Sequence, residues 1–311
     1  MGQYAASTTE RRKHRNTDSQ NNKNENRGFV RNAVLLVAAA IGTAYGGVPL
    51  NNLQGTGGIA FNPLAYTAGR PWEGGETNAL NGIVSKPQAG AWYVNLTDAD
   101  INWFALGAAV TLLDRLEISG GYAGINAHNY GDNSISTYNV GAKLRILDEN
   151  AFDTSWVPAV AVGGVYKYTD SETVDALGLR HSGADAYVVA SKLIKETPIP
   201  VLLSVGGLVS DEVVYGVVGH NKYGAAAFAN IDIIPVEQVA LGFEYKQGVH
   251  VGDGITNHDY FDGHVAWFVT DALTLVGAYA YTGDKDKFYR DGSTRRLGVG
   301  GGFVLSLQYQ F

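Results

Sequence analysis

Charged side chains recur from Glu117 onward on stretches that are otherwise apolar or small. Glu117, Lys143, Arg145, Lys167, Asp232, Glu244, Lys246, Asp262, His264 and Arg296 sit mostly between apolar neighbours. A strand with one polar and one apolar face has this period of two. Charges of both signs on one face can do two things. They can pair across neighbouring strands and stiffen a wall, as Glu117 would with Lys143 or Arg145. They can also line a water-filled passage and set its ion preference. Small residues such as Gly107, Ala109, Ala161, Gly242 and Ala280 share that face, so the enclosed space must be left open to water or filled by another stretch of the chain.

Other chemistry is sparse. There is no Cys, which removes disulfides, thiol catalysis and thiolate metal sites. No Walker-type loop, GxSxG or HExxH is present, and no enzymatic activity is expected. The run Gly298–Gly302 lies inside a strand pattern, where glycine marks close packing rather than a phosphate loop. His128, His181, His220, His250, His258 and His264 fall in long connections or near strand ends, with Asp132, Asp170, Asp211, Glu212, Asp253 and Asp259 nearby. Imidazoles and carboxylates together can hold a transition metal, but both are ordinary in polar loops. The expectation is no metal centre and no cofactor.

The elements that must position these residues read as strands near 90–97, 101–112, 115–125, 135–147, 156–169, 182–194, 200–211, 222–233, 238–247, 259–269, 273–283 and 296–311. Turn residues separate them. Connections alternate between short (234–237, 270–272) and long (212–221, 248–258, 284–295). Short turns at one end and long loops at the other are the pattern of an outer-membrane barrel. With strands running alternately up and down, Tyr122, Tyr138, Tyr168, Tyr223, Tyr245 and Tyr281 fall at the long-loop end. Trp156, Trp267, Tyr309 and Phe311 fall at the other, and Val140, Val162, Val205, Val265 and Leu305 lie between. Two aromatic belts around an aliphatic band suit a bilayer. No later run approaches the ~20 apolar residues of a membrane helix. The fold expected is all-β: a transmembrane antiparallel up-and-down β-barrel of about twelve strands over 89–311.

The terminus carries a resemblance. Phe303, Leu305, Leu307, Tyr309 and Phe311 alternate with smaller or polar residues, and the chain stops on Phe. This resembles the sorting signal read by the barrel-assembly machinery of Gram-negative bacteria. The resemblance implies outer-membrane lipid, lipopolysaccharide and that machinery as partners. Acidic residues of the outer loops would then meet divalent cations shared with lipopolysaccharide. The acidic balance of the chain, −7, argues against nucleic acid, and oligomeric state is left open.

Three segments precede the barrel. Residues 1–26 are polar, basic and Asn-rich, a composition that does not build a core. Residues 27–44 read as a signal peptide: Arg27 and Arg31 flank the apolar run 33–41, with small residues before a cleavage point after Ala44. A start near Val30 would leave a normal leader, with 1–26 a mis-assigned extension. Residues 46–88 are rich in Gly and Pro yet hold Val48, Leu50, Leu53, Ile59, Phe61, Leu64, Tyr66 and Trp72, too much apolar surface for a linker. The segment is either a plug in the barrel, with Phe61, Asn62 and Pro63 near the constriction, or a periplasmic stretch beneath it. Its Asn62-Pro63-Leu64-Ala65 partly resembles the box in the N-terminal hatch of fatty-acid and hydrocarbon uptake channels. From Gly46 onward, including KPQAGAWYVNL, the chain also resembles a family of Gram-negative barrel proteins of unknown function. A porin-like channel for small solutes is the leading expectation. A plugged channel for hydrophobic compounds, a structural or adhesion barrel, and, last, a barrel-type lipid hydrolase are the alternatives.

Overall fold

The computed structural model describes residues 50–72, 83–127, 132–176, 178–219, 222–249, 254–285, 288–291 and 294–311. The stretches read as 1–26 and 27–44 lie outside the described residues, as do His128, His220, His250, Asp253 and the side chains of Asp132 and Arg296. Strands run β1 Gln88–Leu96, β2 Ile101–Leu112, β3 Leu116–Ala127, β4 Asp132–Leu147, β5 Ala159–Asp170 and β6 Ser182–Ile194. They continue as β7 Val201–Ser210, β8 Glu212–Val214, β9 Val217–Val218, β10 Gly224–Val236, β11 Val239–Lys246 and β12 Gly254–Asn257. The last are β13 Tyr260–Phe268, β14 Leu273–Tyr281, β15 Phe288–Asp291, β16 Thr294–Leu297 and β17 Gly301–Gln310.

Among the described residues, twelve strands close into one antiparallel barrel in the order β1-β2-β3-β4-β5-β6-β7-β10-β11-β13-β14-β17, and β17 returns to pair with β1. Every neighbour in the wall is also the next wall strand in sequence, so the fold is the up-and-down transmembrane barrel expected. Closure leaves no free edge. The remaining strands are short pieces of the long connections: β8 pairs with β9, and β16 lies between β12 and β15.

The alternation of side chains fixes which face is which. In β17 each of Phe303, Leu305, Leu307 and Tyr309 is exposed, and each residue between them is buried. The outer surface carries Val140, Val205, Val265 and Leu305 with Tyr122, Tyr138, Tyr168, Tyr223 and Tyr281 toward the long-loop end and Trp156, Trp267, Tyr309 and Phe311 toward the short-turn end. So large an apolar band has no place on a water-facing monomer. The tyrosines touch in a row, Tyr122 to Tyr138 at 5.3 Å and Tyr138 to Tyr168 at 6.4 Å between ring centroids. Short turns are tight: three residues, 113–115, join β2 to β3, and Leu113 and Asp114 take left-handed φ of 50° and 56°.

The largest departure from the sequence reading is at one strand boundary. The last barrel strand begins at Gly301, not 296. Residues 294–297 leave the wall as β16 and pair with β15 and β12. The cause lies at the glycines between. Gly300 takes φ of +80°, and a Cβ on Gly298 would stand 2.3 Å from the Asp284 carbonyl oxygen, so the chain bends there. Arg296 is therefore on a loop strand outside the barrel wall.

Candidate functional site

The barrel lumen is where the charged and small residues converge, and residues 50–72 occupy it. This luminal segment has no strand or helix of its own, so its backbone polar groups must find partners elsewhere. The wall supplies them. Asn51 is held at the seam between the first and last strands. Its N–H donates to Gln308 Oε1 (3.0 Å), its carbonyl accepts from Gln308 Nε2 (3.1 Å) and Trp92 Nε1 (2.7 Å), and its side chain accepts from Gln88 Nε2 (2.7 Å). Asn52 Oδ1 accepts from the N–H groups of Gln54 and Thr56, both 3.0 Å, a local turn typical of Asn.

Beyond that turn the segment lies against glycines. Gly55 has φ of +89°, and a Cβ there would stand 2.4 Å from the Gly120 carbonyl oxygen. A Cβ on Gly107 would stand 2.5 Å from Gly55 Cα, and one on Gly121 2.7 Å from the Gln54 carbonyl oxygen. The small residues of β2 and β3 thus make room for backbone. The wall is thin here on its outer side too, where Ala89, Ala91, Ala108 and Gly120 line an apolar groove of about 490 Å³ on the bilayer face.

Two buried carboxylates hold the segment through its N–H groups. Glu117 accepts from Gly57 (2.9 Å) and Ala68 (2.7 Å). Lys143, 2.9 Å from Glu117, donates to the Gly57 carbonyl at 2.8 Å. Across the lumen, Glu244 accepts from three successive residues: Ala60 at 3.1 Å, Phe61 at 3.0 Å and Asn62 at 2.6 Å. The Asn62 amide donates to the carbonyls of Tyr245 (3.0 Å) and Ala229 (3.3 Å). Ser191 Oγ accepts from the Ala65 N–H (2.9 Å), and Ala65 joins an apolar cluster with Ala161, Val165, Tyr187, Val189 and Phe228. The segment then returns. Thr111 Oγ1 donates to the Ala68 carbonyl (2.6 Å), Gly69 N–H donates to Gln88 Oε1 (3.0 Å), and Arg70 Nε donates to the Phe311 carbonyl (3.1 Å). Gln88 therefore touches both legs of a hairpin that enters and leaves at the short-turn end.

The lumen is also filled from the long-loop end. The connection after β7 folds inward through β8 and β9, burying Glu212, Tyr215, Val217 and Val218. Tyr215 O–H donates to the Phe61 carbonyl at 2.9 Å, and its ring packs on Phe61 (5.4 Å), Trp103 (5.8 Å) and Tyr260 (5.9 Å). Glu212 accepts from Lys246 (2.9 Å), Gln54 Nε2 (3.0 Å) and the Gly216 N–H (2.9 Å), and pairs with Lys167. Lys167 also meets Asp185 at 2.5 Å. Burial alone would push the Glu212 carboxyl up; the ammonium groups of Lys167 and Lys246 outweigh it and hold it down to about 2. A void of about 20 Å³ remains between Asn52, Phe61, Asp185, Tyr187 and Tyr215, room for about one water.

Of the residues singled out from sequence, Glu117, Lys143, Lys167, Asp232, Glu244, Lys246, Asp262 and His264 all face inward and are buried. Arg145 differs. It lies at the short-turn rim, with Nε 3.0 Å from Asp148 and a hydrogen bond to the Asp114 carbonyl, because the strand bulges between Arg145 and Leu147. His264 is in mid-strand between Asp232 (2.8 Å) and Asp262 (2.7 Å), not at the rim. Phe61 and Asn62 are at the deep end of the segment. Tyr215 and the burial of Glu212, which reads from sequence as a loop carboxylate, escaped the sequence reading, as did Trp103, Asn51, Gln88 and Gln308. The apolar run Val213, Val214, Tyr215, Val217 and Val218 in a supposed outer loop was the available signal for the first two. Among the described residues no cluster of three or more His, Asp or Glu side chains is arranged to hold a metal ion.

A family model described as "Protein of unknown function (DUF3034)" matches residues 46–289, and the chain belongs to that family. No curated protein matches the sequence. Among solved structures the chain is similar to a KdgM porin, with 10% identity, a TM-score of 0.45, and coverage of 72% of this chain and 99% of that one. It is similar to a NanC porin at 8% identity and a TM-score of 0.49, over 72% of this chain and 100% of that one. A third likeness is to the COG4313 outer membrane channel from Pseudomonas putida F1, at 14% identity and a TM-score of 0.43, over 76% of this chain and 98% of that one.

Proposed function

We propose that this member of the DUF3034 family is an outer-membrane channel for small hydrophilic solutes, held closed by its own luminal segment. The observation that carries this is how the segment is held. From Asn51 to Arg70 its N–H groups donate to the wall at Glu117, Glu244, Gln88, Gln308 and Ser191. The wall strands pair with one another and not with the segment, so the segment can leave without unfolding the wall. A wall stripped of it would present Glu117, Lys143 and Glu244 to water, beside the Lys167–Glu212–Lys246 cluster. That lining favours polar solutes over the hydrophobic compounds of the hatch-gated alternative. The reading is of a channel rather than an enzyme.

The test is single-channel recording in planar bilayers with the full chain and with a variant lacking residues 50–72. The full chain should be closed for most of the record and the variant should conduct steadily. Equal, negligible conductance from both, with both folded by heat-modifiability and with the inward-folded loop 211–219 also removed, would make the protein a structural barrel.

A further inference from the structure

The two carboxylates that hold the luminal segment have different surroundings. Glu117 is fixed beside Lys143 at 2.9 Å. Glu244 has no lysine or arginine on it among the described residues; directly opposite it on β13 stands Asp262. His264 bridges Asp262 and Asp232, at 2.7 Å and 2.8 Å, and Asn230 donates to Asp232 at 3.2 Å. Lys246, the next inward residue of β11, is committed to Glu212 and lies over the rings of Tyr215 and Tyr260. The luminal segment brings no charge from Leu50 to Gly69. The groups facing Glu244 are therefore three backbone N–H donors, the Asp262–His264–Asp232 chain, Asn230 and the phenol of Tyr215. Asp262 Oδ2 receives no other donor and meets the Glu244 carboxyl itself.

We propose that Glu244 is a proton-operated latch on the luminal segment. Ionised, it accepts from Ala60, Phe61 and Asn62 together, since a carboxylate offers only acceptors. Protonated, it gives its O–H to the facing Asp262, and the three N–H bonds lose the charge assistance that makes such bonds roughly twice as strong as neutral ones. The same proton relieves the contact of two like charges directly opposite one another on neighbouring strands. Release and charge relief therefore work in the same direction. Glu117 lacks this property because Lys143 keeps it paired. Acidification should free the tip of the segment while its neck at Gln88 is still tied.

The proposal rests on the segment being movable, and the readout is separate from conductance. Hydrogen exchange at Ala60, Phe61 and Asn62, corrected for intrinsic rates, would be measured on the full chain in lipid from about pH 4 to about pH 8, a span covering carboxylate and imidazole titration. In the wild type, protection should fall at least tenfold toward the acid end. Glu244→Gln should show low protection throughout, with no step. Asp262→Asn keeps the latch and removes the like charge, so its step should move to lower pH. Glu117→Gln should keep the step. A flat wild-type profile, a step surviving in Glu244→Gln, or an unmoved step in Asp262→Asn would overturn the latch. If Glu244→Gln does not fold, Asp262→Asn decides alone. A step in exchange with no conductance gained by removing 50–72 and 211–219 would leave the latch standing and remove the channel.

Discussion

Glu117 and Lys143, 2.9 Å apart and shut off from solvent, grip the same residue from both sides: the carboxylate takes the Gly57 N–H and the ammonium takes the Gly57 carbonyl. The pair joins β3 to β4 and both strands to the luminal segment. Lys143→Met strands a buried carboxylate, and loss of one partner of a buried pair costs ~3–5 kcal/mol. Urea unfolding of the reconstituted barrel should show a loss of that order. The double variant Glu117→Gln/Lys143→Met should recover some of it, because no buried charge is then left alone.

Backbone approach at Gly55 makes a second, sharper expectation. A side chain there must take φ of +89° and also meet the Gly120 carbonyl at 2.4 Å. The first effect costs an L-residue ~1–2 kcal/mol; the second displaces the segment from β2 and β3. Gly55→Ala should therefore raise the open fraction in single-channel records. Gly178→Ala is the control: its φ is +61° but nothing lies within 4 Å of the added Cβ, so gating should not change.

Acid should act differently on the loop that fills the lumen from outside. Against the upward push of burial, Lys167 and Lys246 hold Glu212 down to about 2, below its ordinary value of 4.5. A depressed carboxyl contributes stability above its unfolded value and loses it as pH falls through the folded value. The docking of β8 and β9 should accordingly be unchanged from neutral pH down to about 4.5 and weaken only below it. Protease cleavage within 211–219, followed against pH, measures this. Glu212→Gln should be cut readily even at neutral pH.

Arginine scanning separates the two faces of the wall. Val265 faces the bilayer, and arginine near mid-membrane costs ~2–4 kcal/mol. On sequence alone an arginine at Ala161 should be milder, since that face points away from lipid. The structure reverses this ordering. Ala161 is fully buried against Ala65, Tyr187 and Phe228, and an arginine there must expel the segment or distort the strand. Ala161→Arg should give the lower folded yield of the two.

That reversal marks where the sequence was readable. Strand positions and facing were legible because a wall between lipid and lumen imposes strict alternation, visible in residues as plain as Leu305 and Leu307. The belts followed for the same reason. The filling was harder to read. Asn51, Gln88 and Gln308 look like any polar residues until one is seen holding another's main chain. An irregular segment has no period to reveal its partners. The break at Gly298–Gly300 was hidden because the alternation resumes on both sides of it. Tyr215 reads as a solvent-facing residue with the rest of its loop, although its valine neighbours have no other place to go but inward.

The hairpin form of the luminal segment, with Gln88 between its two legs, has a mechanical consequence. Because both legs leave by one mouth, the segment can be withdrawn without any chain end being threaded through the barrel. Tension applied at Asn51 would load the bonds to Gln308 and Trp92 first, then Gly57, and only last the Glu244 cradle at the tip. The attachments would break in succession, like a zipper, rather than all at once as in a shear. A modest steady pull from the short-turn side would suffice, and slack would let the same bonds re-form in reverse order.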